Sequence, residues 1–279
     1  MHADMLQRLE LEAELRHAAD RGELVLHYQP IVELSSGRIT SVEALVRWQH
    51  PTRGLLGPLA FIPLAEEQGI IGPIGRWVLS EACRQARRWQ DRFQGVPPLS
   101  MHVNLSGRQL QQPGLIAEVA QALEASAMEP GLLTMEITET VLMADTETVS
   151  QRLQDLKQLG VRLAIDDFGT GYSSLSYLRR FPIDMLKIDK AFVDGIGGER
   201  EDAALAHAII NLSHALALHT IAEGIELPEQ AASLAALGCH DGQGYHFSRP
   251  LAREAMDELL ERTVGPGGFM LTATGAVAT

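Results

Sequence analysis

The chain has 279 residues, of which 46% are hydrophobic and 21% charged, and its formal net charge is −13. This composition is typical of a globular protein large enough for one big α/β domain or two ordinary ones. A general nucleic-acid surface needs clustered Lys and Arg, so the acidic balance argues against a DNA or RNA polymer as ligand. The two cysteines suit a reducing cytosol and offer no disulfide framework or thiolate metal site.

Short apolar runs alternate with helical patterns along almost the whole chain. Strands are predicted over residues 24–32, 39–46, 100–105, 133–138, 162–166, 185–189, 220–223 and, more weakly, 244–247. Helices are predicted over residues 60–69, 74–93, 113–127, 140–159, 172–180, 200–218, 227–237 and 251–262.

The order of these elements predicts a modified (β/α)8 TIM-type barrel. Only residues 33–38 separate the first two strands, which is too short for a crossover helix, so this N-terminal hairpin contributes one antiparallel strand. The later strands alternate with helices and should run parallel, with a doubly wound open sheet as the alternative. We expect a connector helix over residues 1–22, the barrel over 23–263 and a flexible tail over 264–279.

Residues 161–175, VRLAIDDFGTGYSSL, are the most informative segment of the sequence. An apolar run leads into two adjacent carboxylates, Asp166 and Asp167, in a glycine-rich turn. At an effective dielectric of about 20, two like charges about 4 Å apart repel by about 4 kcal/mol. A bound cation offsets such repulsion, so the pair indicates a metal site, and an exposed Asp-Asp turn is the alternative.

Polar residues recur where the predicted strands end, which is where barrels of this class carry their chemistry. They are Asn104, Glu136, Asp166, Asp167, Lys187, Asp189, Glu223 and Glu226, and Glu43 lies within the second strand. Oxygen donors suit Mg²⁺ or Mn²⁺ rather than zinc, and adjacent aspartates can bridge two cations for displacement at phosphorus. Alternatively, each residue is a satisfied core polar group, and Lys187 forms a structural ion pair with Asp189.

Nine motifs together resemble the EAL family of bacterial cyclic di-GMP phosphodiesterases. The ten-residue DDFGTGYSSL is the most specific of them, and the resemblance covers nearly all of residues 20–262 in the right order. The motifs are HYQPIV (27–32), EALVRW (43–48), FIPLAEEQGII (61–71), VNLS (103–106), EITE (136–139), DDFGTGYSSL (166–175), LKID (186–189), AEGIE (222–226) and QGYHFSRPL (243–251).

The resemblance implies a role for each matching position. The first of two Mg²⁺ or Mn²⁺ ions would be held by Glu43, Asn104, Glu136 and Asp166, and the second by Asp166, Asp167 and Glu223. Lys187 would act on the attacking water, with Asp189 beside it. Positions near the second metal or its water are matched by Glu226 and Gln243, and positions lining the nucleotide site by Gln29, Leu45, Arg47 and Pro250. Glu139 matches the glutamate that tethers the 167–175 loop.

The implied reaction is hydrolysis of one phosphodiester of cyclic di-GMP to linear pGpG by a two-metal-activated water. Ca²⁺ should inhibit, because its looser coordination misplaces the water. The alternative function is a catalytically silent cyclic di-GMP receptor or relay domain controlled by a missing partner domain. An enolase-type barrel with a lysine base is a further alternative, but it does not need adjacent aspartates.

The resemblance also implies partners. A homodimer is expected, and residues 6–24 resemble the connector that often follows a GGDEF (diguanylate cyclase) domain. The chain is therefore expected to be one domain of a longer cytoplasmic or membrane-attached protein, with a GGDEF or sensor domain upstream.

Overall fold

The structure, a computed structural model, describes residues 10–144, 146–169, 178, 180–196 and 200–271. Its strands are β1 (Leu24–Glu33), β2 (Arg38–His50), β3 (Gly54–Leu56), β4 (Ser100–Asn104), β5 (Leu133–Thr138), β6 (Arg162–Phe168), β7 (Met185–Ile188), β8 (His219–Ala222), β9 (Asp241–Gly242), β10 (Leu251–Ala252), β11 (Val264–Gly265) and β12 (Gly268–Met270). Its helices are α1 (Pro58–Glu67), α2 (Ile71–Arg92), α3 (Gly107–Leu110), α4 (Leu115–Ser126), α5 (Glu139–Ala144), α6 (Thr146–Gln158), α7 (Lys190–Asp194), α8 (Arg200–Ala215), α9 (Pro228–Ala236) and α10 (Arg253–Thr263), with a 3₁₀ turn at Pro130–Leu132.

Eight of the strands close into a barrel in the order β1, β9, β8, β7, β6, β5, β4, β2, and β2 pairs back with β1. Strand β1 runs antiparallel to both of its barrel neighbours, and the other barrel pairs are parallel. Gly37, at φ +76°, supplies the positive φ that the tight turn between β1 and β2 requires. The predicted barrel with one reversed strand is confirmed, and the open sheet is excluded.

The barrel interior is layered, which decides where its polar residues lie. Ile31, Ala164, Met185 and Ile221 form a separate buried apolar cluster contributed by four barrel strands. One position further toward the carboxyl ends of the parallel strands lie Gln29 on β1, Asp166 on β6, Lys187 on β7 and Glu223 directly after β8. A layer of apolar side chains therefore closes the barrel beneath a layer of polar ones.

The weak strand predicted over residues 244–247 is wrong. The eighth barrel strand is the two-residue β9, and residues 244–247 form a turn. The backbone there bonds to Ile225 instead of to a strand: Ile225 N donates to the Gln243 carbonyl at 3.0 Å, and His246 N donates to the Ile225 carbonyl at 2.9 Å. A Cβ on Gly244 would lie 2.0 Å from the Ile225 oxygen, so only glycine permits this approach.

The two chain ends also differ from expectation. Strands β11 and β12 form a hairpin that pairs with β2, and the buried Phe269 ring meets Phe93 edge-on at 5.2 Å, so residues 264–270 are not a flexible tail. The amino-terminal helix spans residues 10–15 of the described chain and packs through Leu15, which is buried. Most of the helix predicted over 172–180 lies outside the described residues. Across the described chain, no helix has both the length and the apolar character needed to cross a bilayer.

The main core lies between the barrel wall and its outer helices, and Trp48 on β2 is one of its largest side chains. It is fully buried, its ring meets Phe61 edge-on at 5.9 Å, and its Nε1 donates to Glu23 Oε2 at 3.0 Å. Truncation therefore removes apolar contacts and leaves a carboxylate without its donor.

We expect Trp48→Ala to lower the free energy of unfolding by about 3–5 kcal/mol, because it leaves a large cavity in the core. The measurement is equilibrium denaturation followed by circular dichroism. Trp77→Ala on α2 is the matched control, since Trp77 is only partly buried against the core. Equal losses in the two variants would contradict this assignment of the core.

Candidate functional site

The ammonium group of Lys187 lies at the centre of the polar layer. Its Nζ is 2.6 Å from Glu223 Oε1, 2.8 Å from Glu136 Oε2, 3.2 Å from Asp166 Oδ1 and 3.7 Å from Glu43 Oε2. Burial disfavours the charged lysine, yet the surrounding carboxylates hold its pKa well above the usual value. Four acids, three of them on strands and Glu223 directly after β8, thus share one buried cation.

The acids outnumber the cation, and their pKa values reflect this excess. Burial, together with repulsion from the neighbouring acids, raises the pKa of both Glu136 and Glu223 well above the ordinary value, although Lys187 opposes the shift. One ammonium does not offset the mutual repulsion of this many buried carboxylates. The cluster therefore favours the arrival of further positive charge.

Glu43 differs from the other acids because two amides bond to its carboxylate. Asn104 Nδ2 donates to Oε1 at 2.7 Å and Gln243 Nε2 donates to Oε2 at 2.6 Å. Burial opposes its ionisation, but Lys187 and these two hydrogen bonds bring its pKa below the ordinary value. Since Asn104 donates through its nitrogen, its side-chain oxygen remains available as a ligand.

Gln243 also connects Glu43 to the reversed strand β1. Its Nε2 donates to Gln29 Oε1 at 3.0 Å, and Gln29 Nε2 in turn donates to the Ser248 carbonyl at 3.0 Å. Both glutamines are buried. The predicted site residues Gln29, Glu43 and Gln243 therefore form one hydrogen-bonded group with fixed side-chain orientations.

The predicted aspartate pair and Glu223 bring oxygen atoms to within 4.8 Å of one another. Asp167 has φ +54°, an uncommon conformation for a residue with a Cβ, and it turns the second carboxylate toward this group. Burial, then the charges of Asp166 and Asp189, raise the pKa of Asp167 to about 6. The geometry brings the two aspartates and Glu223 together as the sequence predicts.

This donor set fits a divalent cation. Asp166 Oδ1 is buried and lacks a properly oriented hydrogen bond among the described residues, even though Lys187 Nζ lies 3.2 Å away. The nearby side chains offer carboxylate oxygens, with the Asn104 amide oxygen at the edge of the group. All-oxygen coordination suits Mg²⁺ or Mn²⁺.

Glu139 lies where the sequence predicts a loop tether. Its Oε2 accepts a hydrogen bond from Gly169 N at 2.8 Å, and its side chain is buried. The contact joins the first turn of α5 to the residue that follows β6. Residues 170–175 of the predicted loop lie outside the described part of the chain.

Two cavities open beside the acids and share Glu43, Leu45 and Glu223 in their walls. The first, of about 350 Å³, has acids on one side and an apolar wall on the other that includes Ile62 and Ile74. The second, of about 270 Å³, is lined by polar groups: Gln29, Gln243, Glu226 and Lys190. The mouth of the barrel thus offers an apolar and a polar recess on either side of Leu45.

Several predicted site residues lie outside the acidic cluster. Strand β7 ends before Asp189, whose Oδ1 caps α7 by accepting from Ala191 N at 2.8 Å and which also hydrogen-bonds with Asp167. Glu226 forms an exposed ion pair with Lys190 at the rim of the second cavity. The strand predicted over residues 185–189 therefore ends one residue early, and Asp189 begins the turn into α7.

Arg47 and Pro250 line neither of these two cavities. The half-buried Arg47 donates from Nη1 to the carbonyl of its own neighbour Val46 at 2.9 Å. The Pro250 carbonyl bonds to the His27 ring on β1. Arg47 still lies near enough to Glu43 to feel its charge: burial lowers the pKa of the Arg47 guanidinium, and the Glu43 carboxylate partly opposes that shift.

Sequence reasoning missed His102 on β4. Its Nδ1 lies 2.7 Å from Glu136 Oε1, and only 1% of the residue is exposed. Burial, and secondarily the Lys187 charge, lower the pKa of His102 to about 3. The available signal was its position two residues before Asn104, which places both side chains on the inward face of one strand.

The family model described as "EAL domain" matches residues 12–250. The bifunctional diguanylate cyclase/cyclic di-GMP phosphodiesterase MucR of Pseudomonas aeruginosa is 44% identical over 256 residues, which is 92% of this chain and 37% of that protein. The cyclic di-GMP phosphodiesterase NbdA of the same organism is 46% identical over 254 residues, covering 91% and 32%. The chain therefore spans about a third of the length of these curated relatives.

Solved structures agree with this assignment. The structure of the PaMucR phosphodiesterase in complex with c-di-GMP has a TM-score of 0.84 at 44% identity, covering 88% of this chain and 99% of that one. The EAL enzyme Bd1971, with cAMP and cyclic-di-GMP bound, has a TM-score of 0.87 at 36% identity, covering 92% and 69%. The chain belongs to the EAL domain family.

Proposed function

We propose that this domain hydrolyses one phosphodiester bond of cyclic di-GMP and releases linear pGpG. The observation that carries the proposal is the buried group of acids around Lys187 at the mouth of an EAL barrel. Relatives at 44% and 46% identity are named cyclic di-GMP phosphodiesterases, and the PaMucR structure holds that nucleotide. The alternative, a silent receptor, would not need this complete set of ionisable groups.

We assign the acids to two divalent cations, Mg²⁺ or Mn²⁺. The first set is Glu43, Asn104, Glu136 and Asp166, and the second is Asp166, Asp167 and Glu223. When bound, such ions lower the pKa of a water and neutralise charge on the scissile phosphate and leaving oxygen. The chain's own contribution is to hold these oxygens in place through the barrel wall and the two amides on Glu43.

Lys187 is assigned the role of orienting the attacking water. Its neighbours hold its pKa well above the usual value, which supports a donor role for the ammonium rather than proton abstraction. Asp189, whose cap on α7 fixes its orientation, is proposed to act beside Asp167, where its charge helps to raise the pKa of that acid. Glu226 acts at the rim, where it holds Lys190 beside the second cavity.

The two recesses around Leu45 are proposed to take the two halves of the nucleotide. An apolar wall suits the face of a purine, and the amides of Gln29 and Gln243 suit polar groups. Arg47 and Pro250 remain predicted nucleotide contacts. An arginine offers paired donors for phosphate or guanine, so substrate binding is expected to turn Arg47 away from the Val46 carbonyl.

Further proposals concern the longer protein. The name of MucR combines a diguanylate cyclase with a phosphodiesterase, which supports a GGDEF domain upstream of residues 6–24. A homodimer, tied to the segment that Glu139 anchors, and a cytoplasmic location are also proposed. Light scattering of the purified chain tests the dimer directly.

The proposed reaction is tested by incubating cyclic di-GMP with purified chain and separating the products by chromatography. We expect pGpG with Mg²⁺ or Mn²⁺, none with chelator, and inhibition by added Ca²⁺ because its flexible coordination misplaces the water. Asp166→Asn should be inactive, whereas Asp184→Asn, which removes an acid paired with Lys157, should retain activity. Absence of pGpG under every metal condition would contradict the proposed hydrolysis, and its release at an undiminished rate in chelator would contradict the assignment of the cations.

We expect Lys187→Met to lower kcat by about 10²–10⁴-fold with little change in KM, because the water loses its donor while the nucleotide contacts remain. Steady-state kinetics give both constants. Lys157→Met is the matched control, since it removes a lysine from an ion pair on α6 outside the site. A Lys187→Met enzyme with near-normal kcat would contradict the assigned role.

The raised pKa of Asp167 predicts how the stability of the protein changes with pH in the presence of chelator. The folded-state pKa of about 6 lies above the unfolded value near 3.8, so the stability that this group contributes is complete below pH 3.8 and is lost as pH rises through 6. The Asp167→Asn variant has no carboxyl group to ionise at this position, so it does not lose this stability as pH rises. Asparagine also tolerates the positive φ of residue 167. The melting temperature of the variant minus that of the parent should therefore rise between about pH 4 and 7.

The same experiment with Mn²⁺ provides the control. Bound cations stabilise the ionised carboxylates, so Mn²⁺ at pH 7 should raise the melting temperature of the parent more than that of Asp167→Asn. A difference that stays constant from pH 4 to pH 7 in chelator would show that Asp167 does not titrate as the geometry indicates.

A further inference from the structure

His102 and Glu136 form a buried contact that the proposed reaction does not use. The ring Nδ1 lies 2.7 Å from Glu136 Oε1, while the other oxygen, Oε2, accepts from Lys187 Nζ at 2.8 Å. Each of the three residues is about 1% exposed. The Glu136 carboxylate is therefore held at both of its oxygens, which fixes the rotation of the group.

The same strand fixes a second acid in a parallel way. Residues 102 and 104 are the last two inward-facing positions of β4, and Asn104 Nδ2 donates to Glu43 Oε1 at 2.7 Å. In the register of the sheet, His102 lies opposite Glu43 on β2, and Asn104 lies opposite Glu136 on β5. Strand β4 thus presents one polar group to each of the acids on its two neighbours.

His102 also separates the acids from a cavity at the opposite end of the barrel. That cavity, of about 370 Å³, is lined by the first residues of several strands, among them Arg38, Ser100 and His219, and His102 is part of its wall. An apolar side chain would fill the same space, but it would give the Glu136 carboxylate no hydrogen bond. The polar ring instead completes the floor of the acidic cluster.

We propose that His102 is a positioning residue for the metal site, through the Glu136 carboxylate. This inference rests on the proposed function, because Glu136 acts as a ligand only if the domain binds divalent cations. An ionised ligand carboxylate only accepts hydrogen bonds, so His102 must carry its proton on Nδ1. The ring then holds one oxygen and aims the other toward Lys187 and the cations, as outer hydrogen bonds do for ligands generally.

The test is calorimetric titration of the full chain with Mn²⁺ alone, without nucleotide. We expect His102→Leu to weaken Mn²⁺ binding by about 10–100-fold, because Glu136 loses the donor that orients it. His102→Asn should restore binding to within about 3-fold, since its amide places an N–H close to the position of Nδ1. His219→Leu, in the wall of the same cavity but paired with Asp241, should leave Mn²⁺ binding unchanged.

Wild-type Mn²⁺ affinity in His102→Leu, with the fold intact by circular dichroism, would overturn the inference. If His102→Leu does not fold, Mn²⁺ binding is compared between His102→Asn and His102→Gln instead. These two variants differ in the position of the N–H, because glutamine carries it closer to the position of Nε2 than to that of Nδ1. Tighter Mn²⁺ binding by the asparagine variant supports the positioning role, and equal binding overturns it. Failure of the wild-type chain to bind Mn²⁺ would instead refute the proposed function, so the two failures are distinguishable.

Discussion

The site depends on the repulsion among carboxylates crowded around a single buried lysine. At an effective dielectric of about 20, each pair of such charges about 4 Å apart costs about 4 kcal/mol. The Lys187 ammonium contacts four of the acids but cannot neutralise them all, and the pKa values of Glu136 and Glu223 are accordingly raised. A fold that holds the acids in this arrangement favours the binding of additional cations, because the repulsion among the carboxylates is relieved when cations bind.

The barrel can hold the acids together because they lie on, or directly after, several different strands whose positions are fixed by packing elsewhere. The apolar layer of Ile31, Ala164, Met185 and Ile221 packs beneath them, and the core between strands and helices supports the wall from outside. The amides of Asn104 and Gln243, and the ring of His102, then fix individual carboxylates. The rigid backbone and the directed hydrogen bonds together hold these like charges close to one another despite their mutual repulsion.

The barrel, its reversed strand and the strand-end acids follow from the sequence, because hydrophobic period and connection length determine them locally. What the sequence did not predict depends on contacts between distant segments. The pattern of residues 244–247 predicts a strand, but in the structure Gly244 lies against the carbonyl of Ile225. Similarly, β12 pairs with β2, and its Phe269 ring packs against Phe93. For His102 the alternation with Asn104 was the one local signal, and it is weak, since a lone buried histidine is usually structural.

The acids around Lys187 are proposed to bind a pair of divalent cations. The most direct test is anomalous scattering from crystals of the chain grown with Mn²⁺. Two peaks about 4 Å apart, contacting Asp166 from both sides, are the result that this account predicts. Well-ordered acids with no anomalous peak between them, at saturating Mn²⁺, would contradict it.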